Sequence, residues 1–333
     1  LGISKAPSKS TLSYANRNRP AELYEELFWA MLKRFRENGG LGSRKRKFRF
    51  KNKLLSIDST TISLCLGLFP WAQFRRAKGG VKVHVLLDHD DYMPSFALIT
   101  QAKVHDRTVA GKFSLKPGSI VAFDRAYNDY ALFSRWTENG IFFVTRQKEN
   151  AVYEVIEKRE PARHRFILSD EIILLTGPKA QEKCPHPLRR VVVWDRDNDR
   201  EIVLLTNHLD FGSSMIAAIY KDRWEIEIFF KTLKQHLKVK TFIGTNENAL
   251  RIQIWTALLA MLLLKWLHHL SKAGWSLSES WNTWCTVEKL AGRKADIDGL
   301  SAAFLESDRP FLGISRSDWV EFMGQWLTDH GLV

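Results

Sequence analysis

LLSID, residues 54–58, is an apolar run that closes on a carboxylate, and SIVAFD, residues 119–124, repeats the pattern. VKVHVLL (81–87), SFALIT (95–100) and IFFVTR (141–146) are likewise short and either β-branched or alternating, which is the signature of strands. Pro117-Gly118 and Asn139-Gly140 supply turn signals before the last two strands. The segment between Asp129 and Trp136 reads as a helix joining them. Three strands, a helix and further strands predict a mixed α/β sheet.

Beyond this block the pattern changes. VYEVIEK, RFILSD, EIILLTG, RRVVVWD and REIVLLTN, all within 150–206, are strand-like with turn residues between them, and they predict an all-β insertion inside the α/β domain. From about 213 to 272 the spacing is helical, and 273–333 carries Trp275, Trp281, Trp284, Trp319 and Trp326, read as core. Upstream, Pro20 opens a helical run with apolar residues at 23, 27, 28, 31, 32 and 35, stopped by Asn38-Gly39-Gly40. PSKST before it has the residues of a helix start and could end a helix-turn-helix. Because the chain opens on Leu1 in what reads as structure already under way, an amino-terminal segment is expected to be missing. The expected divisions are therefore 1–50, a helical segment that could be the remnant of a DNA-binding region; 51–149, the first part of the α/β domain; 150–206, the β insertion; 207–272, the second, helical part of that domain; and 273–333, a helical tail.

Composition narrows the partners. Hydrophobic residues make up 45% of the chain, enough for a sizeable core. Fifty Lys and Arg against thirty-seven Asp and Glu leave a net charge of +13, which favours a polyanion, either nucleic acid or an anionic membrane surface. RKRKFRFKNK (44–53) concentrates that charge, as a solvated linker or a phosphate contact. Cys65, Cys184 and Cys285 form no CxxC pair, which argues against a zinc finger or a disulfide framework and suits a cytoplasmic, nucleoid-associated protein. The apolar stretch 252–270 carries Lys265 in its middle, and it reads as a core helix rather than a membrane span.

Asp58 and Asp124 stand at expected strand ends, where ligands gather in open α/β sheets, although either aspartate alone could simply start a turn. The third acid comes from YKDRWEIEIFFKTLKQHLK (220–238). On one continuous helix, at about 100° per residue, Tyr220, Arg223, Glu227, Lys231 and Lys234 share an arc about 80° wide. Ile219, Ile226, Phe229, Phe230, Leu233 and Leu237 fill the neighbouring arc and face a core. Arg223–Glu227 and Glu227–Lys231 could be no more than i,i+4 ion pairs. Three carboxylates can equally hold two Mg²⁺ ions for phosphoryl transfer, and the adjacent cations can hold a phosphate backbone.

The spacing Y-x2-R-x3-E-x6-K, spelled by Tyr220, Arg223, Glu227 and Lys234, resembles the YREK signature of the insertion-sequence-4 family of DDE transposases. LLSIDST and VAFDRAYNDY resemble that family's two aspartate boxes. The resemblance covers roughly 54–270. It implies a ribonuclease H-like fold with a β insertion between the second Asp and the Glu. It implies Asp58, Asp124 and Glu227 as catalytic, metal-binding residues for two Mg²⁺ (Mn²⁺ as substitute), with Tyr220, Arg223, Lys231, Lys234 and Arg125 on DNA. The implied activity is cut-and-paste transposition by hydrolysis at the element ends and 3′-OH strand transfer. The implied partners are double-stranded DNA and a second copy in a synaptic dimer, with no membrane and no small-molecule substrate.

Some relatives pass through a DNA hairpin and stack a flipped base on a Trp in the VLLT strand. Here Ile202 occupies that place, with Trp194 nearby. His84, His89 and the His105-Asp106 pair read as capping and surface residues, with a metal cluster or general base as the alternative, and the resemblance favours His105 as a support for the site. A stand-alone nuclease of the same fold, or a decayed transposase fragment that only binds DNA, are the competing functions.

Overall fold

A computed structural model describes residues 8–37, 40–42, 46–76, 78–160, 166–237 and 242–271. In chain order its elements are α1 (Lys9–Asn18), α2 (Ala21–Glu37), β1 (Leu54–Leu64), β2 (Gln73–Arg75), β3 (Lys78–Asp88), β4 (Met93–Gln101), α3 (Asp106–Ala110), β5 (Ile120–Phe123), α4 (Tyr130–Glu138), β6 (Phe142–Arg146), β7 (Tyr153–Arg159), β8 (Ile167–Leu175), α5 (Pro178–Lys183), β9 (Leu188–Asp195), β10 (Arg200–Thr206), α6 (Ser213–Asp222), α7 (Glu225–Leu237) and α8 (Glu247–Ser271). They fall into two compact units, Gly42–Gln235 and Leu1–Leu41 with His236–Val333. The Trp-bearing tail lies outside the described residues.

The larger unit is built on one sheet in the order β2-β3-β1-β5-β6-β10-β9-β8-β7, with β4 also on β3. β1, β3 and β4 are antiparallel neighbours, whereas β1, β5 and β6 run parallel. That pattern, three antiparallel strands followed by parallel ones reached through α4, is the ribonuclease H-like arrangement. β5 is IVAF, buried at every position, as a parallel strand covered on both faces must be. Gly118 and Gly140 take φ +83° and +66° and form the turns that feed β5 and β6, with Gly118 N–H donating to the Gly140 carbonyl at 2.7 Å.

Side-chain alternation divides the core between the two faces of this sheet. Leu55, Ile57, Val121, Phe123 and Phe143 pack with Phe133 and Trp136 of α4. Leu54, Ile120, Ala122 and Val144 pack with Ile216 and Ile219 of α6.

Residues 150–206 do not form a separate module. β10 pairs antiparallel with β6, so β10, β9, β8 and β7 extend the same sheet outward. RFILSD and EIILLTG, expected as two strands, are the single strand β8, and the short helix α5 interrupts the β pattern.

In the smaller unit, α8 packs along α1 and α2. The Asn248 amide donates to the carbonyls of Asn16 (2.9 Å) and Arg19 (2.6 Å), and its oxygen accepts from Ala21 N–H. Trp255 meets Phe28 and Trp29, and Trp266 stacks on Phe35. Among the described residues α8 is the one helix long and apolar enough to cross a membrane, and more than half of that stretch is buried inside the protein.

Candidate active site

Asp58 is not at a strand end. β1 runs on through Thr60, Thr61 and Ile62 to Leu64, because these residues pair with β3. What ends near Asp58 is the parallel pairing: Ile57 opposite Phe123 is the last β1–β5 pair. Asp58 and Asp124 each follow that pair by one residue, so the two carboxylates flank the point where neighbouring strands separate. Strands in a sheet lie about 4.8 Å apart, which keeps the two acids close. Asp124 is then fixed by turning back to accept from Ala126 N–H at 3.0 Å. Leu54, Ser56 and Asp58 share one side of β1, the side covered by α6.

The helical segment differs from the single helix expected. α6 ends at Asp222 and α7 begins at Glu225, with Arg223 and Trp224 forming the corner between them. The backbone stays close to helical there, since Arg223 keeps αR angles and Glu227 N–H reaches the Trp224 carbonyl. The corner still brings the expected residues together. Arg223 Nη1 lies 3.5 Å from Asp58 Oδ2 and 3.4 Å from Glu227 Oε1, bridging the strand acid and the helix acid. Its guanidinium carbon stands 5.5 Å from the centre of the Tyr220 ring.

Ile219, Ile226, Phe229, Phe230 and Leu233 are buried as the spacing required; the Leu237 side chain lies outside the described residues. Lys231 and Lys234 are exposed, and with Ser59, Thr60, Glu227 and Phe230 they line an open cleft of about 440 Å³ beside the carboxylates. Arg125 is brought near Asp124 but pairs with Glu149 at 2.6 Å on the surface.

Electrostatics show what the site is short of. Burial pushes the Asp58 carboxyl up to about 7, and the neighbouring charges of Glu227 and Asp124 push the same way. The Ser59 N–H and Arg223 oppose them only in part. A carboxylate held this far above its ordinary range is one that added positive charge would stabilise. Arg223 also keeps a buried Nε–H with no acceptor, a donor suited to a phosphate oxygen. Among the described residues no three His, Cys, Asp or Glu side chains are grouped so as to hold a metal ion, so the acids form no ready-made cage. Mg²⁺ needs none, since it binds through a few hard carboxylate oxygens and keeps water and substrate phosphate for the rest. The donors present fit that ion.

A family model described as a transposase DDE domain matches residues 49–263. This chain belongs to the DDE transposase family. The transposase is 34% identical to "Putative transposase y4zB" of Sinorhizobium fredii, over 78% of this chain and 71% of that one. It is 31% identical to "Probable transposase for insertion sequence element IS5377" of Geobacillus stearothermophilus, over 79% and 69%. A third relative, "Putative transposase for insertion sequence element IS4SA" of Synechocystis, is 28% identical over 80% and 73%. The family assignment read from Tyr220, Arg223, Glu227 and Lys234 agrees with these matches.

Two histidines of the transposase depart from expectation. His84 is fully buried, bonded through Nε2 to Thr100 at 2.9 Å, and the His89 side chain is 5% exposed. Neither is a surface residue. His105 is exposed, and its partner in sequence, Asp106, is the one that reaches β1. Asp106 accepts from Ser59 Oγ at 2.7 Å and from Lys82 at 3.1 Å, one residue along from Asp58. Asp106 lies 47 residues from Ser59 and 24 from Lys82, so no local pattern could have announced these contacts.

Ile202 pairs with Val193 and packs on the α6 side of the sheet, whereas Trp194 pairs with Glu201 and so points to the other face. Trp194 cannot take over the position that Ile202 fills.

Proposed function

We propose that this chain is a cut-and-paste transposase of a bacterial insertion sequence, with Asp58, Asp124 and Glu227 as its catalytic carboxylates. The observation that supports this most directly is the convergence of strand and helix acids on Arg223, with Asp58 raised by burial and by the other two acids. The three would hold two Mg²⁺ ions, with Mn²⁺ as a substitute, and the ions supply charge stabilisation to the attacking and leaving oxygens of phosphoryl transfer.

Around that centre the chain's own residues hold DNA. Arg223, buried but carrying a free Nε–H, orients the scissile phosphate, with the Tyr220 ring packed beneath its guanidinium. Exposed Lys231 and Lys234, one and two turns beyond Glu227, track the backbone along the cleft. Arg125 would join them only on leaving Glu149. In the first step water displaces the 3′ oxygen at each element end. In the second, that 3′-OH attacks a target phosphodiester, forming one P–O bond as another breaks, with no covalent protein intermediate. Two copies of the chain would act on paired ends.

The test is cleavage of a labelled element-end duplex with Mg²⁺, wild type beside Glu227→Ala. The reading expects a metal-dependent nick that Glu227→Ala lowers by at least about a thousandfold, with duplex binding retained. Cleavage by neither protein, with salt-sensitive binding intact, would favour a chain that only binds DNA. Hydrolysis without joining would favour a nuclease.

A further inference from the structure

Away from the cleft, the larger unit contains a buried polar chain that the reaction above does not use. His89 Nδ1 donates to Asp222 Oδ2 at 2.6 Å, and His89 Nε2 and Ser56 Oγ are 2.7 Å apart. Lys47 binds the second oxygen of Asp222. Burial pushes the Asp222 carboxyl up, yet the bonds from His89 and Lys47 outweigh it and hold the group below the ordinary aspartate range. Ser–His–Asp connectivity suggests a hydrolase triad, but Ser56 is fully buried and no substrate carbonyl could reach its hydroxyl.

The ends of this chain point to a different role. Ser56 sits two residues before Asp58 on the same side of β1. Asp222 is the last residue of α6 and adjoins Arg223, which touches both Asp58 and Glu227. β1 and the α6–α7 corner are therefore joined by two parallel links.

The link at the site, Asp58–Arg223–Glu227, has contacts of 3.5 and 3.4 Å, beyond the range of strong hydrogen bonds. The buried link is made at 2.6 and 2.7 Å away from water, where such bonds are strongest. Its backbone is also held: His89 N–H donates to the Leu54 carbonyl, and Tyr92, whose ring packs on His89, takes the uncommon φ of +53°.

We propose that His89 is a positioning residue for the transposition reaction, fixing the α6–α7 corner against β1 and so setting where Glu227 stands relative to Asp58. This rests on the reading of Asp58, Asp124 and Glu227 as the catalytic set. Residues that orient a metal-binding group typically change metal affinity or activity by about 10- to 100-fold, and misplacement by about 1 Å has effects of the same size.

The experiment compares wild type, Glu227→Ala, His89→Ala and His89→Asn in the full chain. Asparagine places an amide N–H near the position of His Nδ1 and can keep the bond to Asp222. Four quantities are read: cleavage rate of the element-end duplex, duplex Kd without metal, Mn²⁺ binding followed by the free-ion EPR signal, and melting temperature.

His89→Ala is expected to slow cleavage about 10- to 100-fold and weaken Mn²⁺ binding about tenfold or more, with duplex Kd within about twofold of wild type. His89→Asn is expected to recover most of both losses. The proposal is overturned if His89→Ala cleaves and binds Mn²⁺ like wild type beside an inactive Glu227→Ala. It is equally overturned if both His89 variants lose cleavage, duplex binding and melting temperature together, since His89 would then serve the fold alone. Glu227→Ala cleaving like wild type would overturn the site reading and this linkage with it.

Discussion

Replacing Asp58 by Asn should make the metal-free protein more stable. In the folded chain the Asp58 carboxyl titrates at about 7 against an ordinary 3.8, so the native state binds this proton more tightly than the unfolded state does. A raised value means the contribution to stability is fully present below about pH 4 and is lost as pH rises through 7. At pH 8 the ionised group therefore opposes folding by about 4 kcal/mol, at about 1.36 kcal/mol per pH decade. Asn has the same shape and no charge to desolvate. Allowing for relaxation around a side chain that is 17% exposed, the expected gain is about 2–4 kcal/mol at pH 8. For a chain of this size that corresponds to roughly 3–6 °C in melting temperature. The assay is thermal and guanidinium unfolding of both proteins in EDTA at pH 4, 6 and 8. The advantage of Asn should grow with pH and be close to zero at pH 4. Saturating Mg²⁺ at pH 8 should narrow it, because only the wild type offers the cation a full carboxylate. An Asn variant less stable than wild type at pH 8, or a difference that does not vary with pH, would refute the reasoning.

Because Asp58 must lose its proton before it can serve a cation, the Mg²⁺ concentration for half-maximal cleavage should rise about tenfold for each pH unit below 7; a flat profile between pH 6 and 8 would contradict this. Lys231→Ala with Lys234→Ala should reduce the salt dependence of duplex binding by about 1.8 in log–log slope, as expected for two lost phosphate contacts, whereas an unchanged slope would remove both residues from the DNA surface. Far from the site, Arg189 grips Asp170 through two bonds of 2.8 and 2.6 Å in a buried pair. Arg189→Ala should cost about 3–5 kcal/mol in guanidinium unfolding, since it strands the Asp170 charge; a loss below about 1 kcal/mol would show that water reaches the pair.

The sequence was most legible where one side of an element meets a core. The strands of the ribonuclease H-like sheet and the buried face of α7 follow directly from alternation and helical spacing, and Asp58 and Glu227 both reach Arg223. An aspartate after an apolar run usually starts a turn, which is why LLSID reads as a strand that ends at Asp58. The β-branched residues after it, paired with β3, carry the strand onward instead. The corner at Arg223–Trp224 has no Gly or Pro to announce it; what accompanies it is tertiary contact, with Asp222 gripped by His89 and Lys47. Those partners lie 133 and 175 residues away. Contacts at such distances leave no local spacing to read, and for the same reason nothing near Asp106 or His89 in the sequence announces the bond to Ser59 or the burial of the imidazole.

The extension of the sheet through β10 to β7 has an entropic consequence. About one hundred residues separate Asp124 from Glu227, and a flexible segment of that length would oppose bringing its ends together by about 4 kcal/mol. Here the interval is laid down strand by strand on β6, so its closure belongs to folding. The interval between the second and third acids is thus closed when the sheet assembles, and no free loop of that length remains to be gathered afterwards.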